Sequence, residues 1–341
     1  MMAMAGPRVT VLMPVYNGER YLREAIESIL GQTFSGFELL IINDGSTDRS
    51  VEIVNSYTDP RIRLVNNDEN LGIVATLNKG LKLAEGKYLA RMDCDDVSLP
   101  TRLEKQVEFM DSHPQVGISG TWIKMVGTRE ARIWAPPETH EKIVCTLLFT
   151  PALAHPSVII RKSVLDINSL KYDPSFEHAE DYDLWLRSSH FTRLANLAEV
   201  HLLYRIHPDQ IGERYFEEQQ SLAKSVRLFQ LAELGVNPSS EELKVHREIS
   251  LRRMRADKQF VEQAEGWLHG LKEANRQTLL YPEPDFSRIL AGFWLSVCQA
   301  GSGFGLWMLV KFLRSSLGRN RGVSFGEKLA LIVRCCVRGN G

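Results

Sequence analysis

The first hundred residues alternate between short apolar runs and stretches with helical periodicity. Residues 8–14 are apolar and rich in β-branched side chains and stop at Pro14, which predicts a buried strand. After a turn, Tyr21, Leu22, Ala25, Ile26, Ile29 and Leu30 recur at helical spacing and predict a helix over 19–32. A second apolar strand, 37–42, ends in Asn43-Asp44-Gly45-Ser46-Thr47-Asp48, a turn followed by capping residues for a helix over 50–57. Residues 61–65 predict a third strand, 73–84 a third helix and 87–92 a fourth strand. Such alternation specifies an α/β fold, a mostly parallel sheet with helices on both faces, which binds ligands beyond the carboxyl ends of its strands.

The pattern then changes. Thr101-Arg102-Leu103-Glu104 is a capping box for a helix reaching about 112. Residues 116–126 predict one or two strands, 138–150 a helix and 155–161 a strand after a proline turn, whose His155 reads as satisfied within the turn. Acids crowd 177–183 at the start of another helix, where Asp183 and Arg187 are spaced for a surface ion pair. An apolar strand over 200–206 closes on Arg205-Ile206-His207-Pro208. From about 213 the chain reads as helical throughout, with a break at 281–284 and an apolar stretch over 286–317 split by Gly301-Ser302-Gly303. The expected division is therefore 1–212, with a ligand-binding half over about 8–100 and a second half over about 101–212, followed by an α-helical C-terminal region over 213–341.

Charge adds one asymmetry. The net charge of −1 gives no electrostatic footprint for nucleic acid, yet the chain from Ser287 onward carries eight Lys/Arg against Glu327 alone. With that excess, a helix pair within 286–338 fits a peripheral place on an anionic membrane surface; packing against the preceding α/β domain, or in a homodimer, fits equally. Its apolar halves are each too short to span a bilayer. Five cysteines without metal-ligand or Cys-x-x-Cys spacing, and an N-terminus without a signal pattern, lead to the expectation of a cytoplasmic protein, at the inner face of the plasma membrane if the tail binds lipid.

The candidate chemistry sits at the strand ends. The fourth strand stops in Asp93-Cys94-Asp95-Asp96, three acids whose mutual repulsion a divalent cation would offset. By the strand-end rule, Tyr16 and Asn17, Asp44, and Asp93 with Asp95 and Asp96 share one crevice: a ring for a base, an acid for its N–H and a metal position for a diphosphate. Judged singly, Tyr16 is a rim aromatic, Asp44 a turn residue and His207 a turn histidine. Glu180 and Asp181 serve either as complements of the helix dipole or as a base fixed on a rigid helix start.

Five ordered motifs together resemble one family: Val11-Leu12-Met13-Pro14-Val15-Tyr16-Asn17; Ile41-Ile42-Asn43-Asp44-Gly45-Ser46-Thr47-Asp48; Asn70-Leu71-Gly72 with Leu77-Asn78-Lys79-Gly80; Ala90-Arg91-Met92-Asp93-Cys94-Asp95-Asp96; and Glu180-Asp181-Tyr182-Asp183-Leu184-Trp185-Leu186-Arg187. Over about residues 8–210 the chain resembles the inverting family 2 nucleotide-sugar glycosyltransferases with the GT-A (Rossmann-like) fold, of the bacterial polysaccharide-assembly kind. The resemblance implies a UDP-sugar donor, an Mn2+ or Mg2+ cofactor and a glycan or lipid-linked acceptor. It implies that Pro14, Tyr16 and Asn17 line the nucleoside pocket, that Asp44 accepts from the base, and that Asn78 belongs to the donor site. Asp93 then lies near ribose, diphosphate and metal, Asp95 is the principal metal ligand and Asp181 the base. Arg205 and His207 correspond to a late loop that contacts the diphosphate or the metal. Cys94 departs from the family pattern, where a small residue such as alanine is common. Two other readings stand beside this one: a haloacid-dehalogenase-type phosphatase using Asp93-Cys94-Asp95-Asp96-Val97, and an inactive membrane-tethered carbohydrate-binding protein.

Overall fold

A computed structural model describes residues 6–128, 130–208, 210, 215–320, 322 and 324–338, the last by its backbone alone. The described residues cluster into two units. One holds the chain to Ile143 and Pro151–Ala223; the other holds Val144–Thr150 and everything from Lys224. The expected boundary at 212/213 lies outside the described residues.

The first unit is built on a sheet ordered β3 (Ile62–Asn66), β2 (Phe37–Asn43), β1 (Val9–Val15), β4 (Tyr88–Arg91), β8 (Ile159–Arg161), β6 (Val116–Val126), β9 (Arg193–Arg205), β5 (Val97–Ser98), with β7 (Arg132–Trp134) paired to β6. β3, β2, β1 and β4 are mutually parallel, as the βαβ pattern requires, and the sheet becomes mixed where β8 joins β4 antiparallel. Every residue of β1 is buried, which is why the run lacks polar alternation. Helices α1 (Leu22–Leu30), α2 (Ser50–Asn55) and α3 (Ile73–Leu83) make the crossovers.

Pro14 explains where the crevice opens. Alternate residues of a central strand bond to opposite neighbours: Leu12 O accepts from Met92 N, and Val15 O accepts from Asp44 N. Pro14 therefore points toward β4 without an N–H to donate, just where β4 leaves the sheet as the acidic turn. The loops after β1 and β2 are stitched together instead. Asn17 N donates to Ser46 Oγ (3.0 Å), Thr47 N to Asn17 Oδ1 (2.8 Å) and Glu19 N to Asp48 Oδ2 (2.9 Å).

α4 (Arg102–Ser112) starts where expected, but not through the capping box. Thr101 makes no capping bond, and Leu103 N instead donates to Gln32 Oε1 (3.0 Å), while Glu104 Oε2 accepts from Thr33 (2.8 Å). A tertiary contact with the end of α1 has taken over the cap. Residues 116–126 form one strand, and 155–157 are a 3-10 turn before β8. α5 (His140–Leu147) and α6 (Lys162–Ile167) precede α7 (Glu180–Ser189).

Gly45 follows β2 at φ +69°, and a Cβ there would lie 2.6 Å from the backbone carbon of Glu69. Both strain and overlap oppose a side chain, and the overlap is with backbone that cannot rotate away. Gly45→Ala is expected to cost about 2–3 kcal/mol of stability, read as a lowered thermal midpoint; an unchanged midpoint would contradict the geometry of this loop.

The second unit is helical: α8 (Phe216–Glu233, whose first part belongs to the first unit), α9 (Ser240–Ser250), α10 (Lys258–Thr278), α11 (Asp285–Ala300), α12 (Leu306–Arg314) and α13 (Phe325–Arg338). Its core gathers Phe149, Leu231, Ile249, Phe260, Leu268, Phe286 and Trp294. The apolar stretch that begins at 286 thus spends α11 on this core. No described helix is long and apolar enough to cross a membrane.

Candidate active site

One cavity of about 660 Å³ in the first unit takes in the ends of β1, β2 and β4, the start of α7 and the segment after β9. Pro14, Tyr16, Asn17, Asp44, Asp93, Asp95, Asp181 and His207 all line it, so eight of the ten expected site residues meet there. Asn78 and Arg205 are not among its lining residues.

Asn78 is bonded into the scaffold. From α3 it clamps the backbone of Tyr172 with both ends of its amide, Nδ2 donating to Tyr172 O (2.9 Å) and Oδ1 accepting from Tyr172 N (3.1 Å). Arg205 approaches the acidic turn from outside the cavity. Its N–H donates to Asp96 Oδ1 (2.8 Å), its Nε to Asp95 O (2.8 Å) and its Nη2 to Glu24 (2.6 Å), with the guanidinium over the Tyr21 ring. These contacts tie it to the acidic turn and to α1.

On the base side, Tyr16 is half-exposed, as a stacking ring requires, and Asn17 adopts φ +50°, which asparagine tolerates better than most residues. Asp44 is buried and already well supplied. It accepts from Asn67 Nδ2 (2.7 Å), Leu71 N (2.9 Å) and Gly72 N (3.1 Å). A carboxylate has about four acceptor positions, so about one is left for a ligand.

Each acid of the turn after β4 has its own restraint. Arg91, buried beside them, pairs with Asp93; His207 Nε2 lies 2.9 Å from Asp95 Oδ2; Asp96 takes the Arg205 N–H. Behind them the fully buried Arg102 donates to Arg91 O (2.7 Å) and Gln106 Oε1 (3.1 Å), and burial pulls its pKa down to about 9. Burial raises the Asp93 carboxyl against the opposing pull of Arg91, and raises Asp96 well above the carboxylate range. One oxygen each of Asp93, Asp95 and Asp96 lies within 4.8 Å of the others. Asp96 Oδ2 and His207 Nδ1 are buried and, among the described residues, have no hydrogen-bond partner. Hard carboxylate oxygens crowded together, with an orphaned acceptor among them, fit a divalent cation of the magnesium or manganese type. His207 touches Asp95 but stands outside that group of oxygens.

The opposite wall is α7. Its first residues Glu180 and Asp181 face the cavity, and burial is the largest influence on each, lifting Glu180 to about 8 and Asp181 to about 6. The Tyr182 N–H on Asp181 Oδ1 (2.7 Å) works in the other direction. Arg91 and Asp93 also act on the Asp181 carboxyl, so the two walls are within electrostatic reach. The Asp183–Arg187 pair forms as expected (2.9 Å), but Asp183 is buried, not on the surface.

Glu180 yields a prediction. Its proton affinity is higher folded than unfolded, so from the ordinary carboxylate range up to about pH 8 the folded state binds the extra proton and stability falls as pH rises. Glu180→Gln is expected to raise the thermal midpoint at pH 7.5 and flatten its decline between pH 5 and 8; a less stable variant would show that the carboxylate is ionised and paired.

Several lining residues carried no sequence signal for this role. Arg91 reads as part of an apolar strand. His155, expected to be satisfied in its turn, is buried against the site. Its Nε2 meets the Tyr172 hydroxyl (2.9 Å), its Nδ1 lies 3.7 Å from Glu180, and burial keeps it neutral. His178, at φ +72°, stacks on Tyr215 with ring centroids 4.3 Å apart, and its carbonyl takes the Gln219 amide (2.9 Å). They come from separate elements that only the tertiary fold brings together.

Comparison with known proteins places this arrangement. Residues 10–167 match the family model described as "Glycosyl transferase family 2". The chain is 32% identical over 261 residues to an uncharacterized glycosyltransferase of Haemophilus influenzae, covering 72% of this chain and 79% of that protein. It is 36% identical to the O-antigen biosynthesis glycosyltransferase WbnJ of Escherichia coli, covering 65% and 88%. The structure of Staphylococcus aureus TarS residues 1–349 in complex with UDP-GlcNAc superposes with a TM-score of 0.56 at 18% identity, over 95% of this chain and 89% of that one, which speaks for the fold. The phosphatase and inactive-binder readings gain no support from these comparisons.

Proposed function

Because the chain belongs to glycosyl transferase family 2, we propose that it moves a sugar from a nucleoside-diphosphate donor, UDP in the first instance, to a hydroxyl of a glycan or lipid-linked acceptor, with inversion. The observation that carries this reading is that one cavity holds a half-exposed ring, Asp93 and Asp95 of the acidic turn, and a helix-borne carboxylate.

The chain's own residues have separable tasks. Tyr16 stacks on the base and Asp44 accepts its N–H, while Pro14 and Asn17 shape the rim. Asp93 and Asp95 would hold a divalent ion, Mn2+ or Mg2+, which when bound supplies positive charge beside the donor diphosphate. Arg91, Arg205 and His207 keep the three acids in place. Asp181 takes the proton of the acceptor hydroxyl as that oxygen forms its bond to the anomeric carbon. The bond to the diphosphate breaks on the opposite face, its electron pair leaving with the phosphate oxygen, so a single displacement inverts the centre. TarS in complex with UDP-GlcNAc, and WbnJ with its O-antigen role, support the nucleotide class and the glycan acceptor.

A panel of nucleotide sugars, assayed for manganese-stimulated hydrolysis with release of the nucleoside diphosphate, tests the reading. One or more donors are expected to be hydrolysed faster with Mn2+ than with chelator. Release of phosphate from simple phosphate esters, with no nucleotide sugar consumed, would overturn it.

A further inference from the structure

The last two helices already bury one face each and still expose another that is apolar. α12 packs Met308 and Phe312 into the core of its unit, and α13 packs Leu331 and Cys335. On the outside α12 presents Leu306, Val310 and Leu313, at i, i+4 and i+7. α13 presents Phe325, Leu329, Val333 and Val337, 81, 48, 53 and 72% exposed. At four-residue spacing these last four sweep a stripe roughly 120° wide. Neither stripe is a core seam turned outward, because each helix has its seam elsewhere.

The polar surroundings are predominantly basic, with Glu327 on α13 and with Glu262 and Glu265 beside Lys311 as the acids. Arg314, Arg319 and Arg334 are exposed and, among the described residues, make no ion pair. Lys311 is engaged by Glu265 (3.0 Å), and Lys328 reaches the Asn320 carbonyl (3.4 Å). Arg321 and the Arg338 side chain lie outside the described residues. Glu327, the one acid beyond Asp285, caps α13 by accepting from Ser324 N (2.8 Å) and Ser324 Oγ (2.6 Å). Arg314, Arg319 and Arg334 outnumber Glu327, so the rim of the stripes carries a net positive charge.

We propose that α12 and α13 dock this surface on an anionic lipid bilayer, the stripes entering the headgroup boundary and the arginines meeting lipid phosphates. Length rules out crossing. Nine and fourteen residues of helix reach about 13 and 21 Å, against about 30 Å of hydrocarbon. A second copy of the chain fits less well, since a two-fold interface through this face sets arginines against arginines. The inference is independent of the sugar-transfer reading.

Sedimentation of the full chain with vesicles tests it. Binding to phosphatidylglycerol vesicles at 0.1 M salt is expected, weakened at 0.5 M, with phosphatidylcholine vesicles bound at least tenfold less. Each basic residue near an anionic surface contributes roughly fivefold, so the triple variant Arg314→Gln, Arg319→Gln, Arg334→Gln is expected to bind about a hundredfold less tightly. Phe325→Ser with Leu329→Ser and Val333→Ser is expected to abolish binding. All six side chains are exposed, so both variants should keep the wild-type melting midpoint. Equal affinity for the two lipids would overturn the proposal. So would failure of the wild-type chain to sediment with anionic vesicles, or ultracentrifugation showing a dimer that the serine variant dissolves.

Discussion

Asp181→Asn is expected to remove sugar transfer, lowering kcat by roughly 10²–10⁴-fold, while leaving donor affinity unchanged. The substitution keeps the shape of the side chain and an oxygen for the Tyr182 N–H, so it removes only the capacity to take a proton. Folding is not the obstacle, because the wild-type carboxyl is held above its ordinary range by burial and an amide avoids that cost. The pH profile supplies a second readout. A base must be ionised, so wild-type activity is expected to fall as pH drops through about 6. In the asparagine variant that limb should disappear from the residual rate. Near-full transfer by Asp181→Asn with a natural acceptor would move the base elsewhere, with Glu180 the neighbour to examine.

Asp95→Ala is expected to act on the other wall of the cavity. Charge supplied beside a leaving diphosphate is worth several kcal/mol, so kcat/KM should drop by roughly 10³-fold. The signature is that stimulation by Mn2+ disappears together with the rate. His207→Ala removes a group that restrains Asp95 and does not itself belong to the oxygen cluster, so a loss of only about 10–100-fold is expected. Kinetics over a manganese titration separate the two variants. Undiminished metal stimulation in Asp95→Ala would remove this residue from the proposed cation site.

The sequence made visible what depends on local pattern. Alternating apolar runs and helical periods disclose β1 to β4 with their crossovers, and the strand-end rule then converges Tyr16, Asp44 and the acidic turn without any contact information. The start of α7 was legible because acids gather at a helix N-terminus. What stayed hidden depends on which way a side chain turns. Arg205 ends β9 close to His207, yet only His207 lines the cavity, because Arg205 is drawn to Glu24 and the backbone of the acidic turn. Asn78 sits in a family-like motif, and its amide is bonded to the backbone of Tyr172. Arg91 looked like one more strand residue, although a buried guanidinium is what allows three acids to share one turn. The capping box at Thr101 failed for a similar reason: Gln32, seventy-one residues before Leu103, reached its N–H first.

The central claim is that a nucleotide sugar is held between the Asp95 turn and Asp181. Calorimetric titration of the Asp181→Asn protein, which should bind without turning over, with UDP-, GDP- and dTDP-sugars in Mn2+ and in chelator tests it most directly. At least one donor is predicted to bind more than tenfold tighter with Mn2+, and adding Asp95→Ala should erase the difference. Binding of none of them, or binding indifferent both to Mn2+ and to Asp95→Ala, would contradict it.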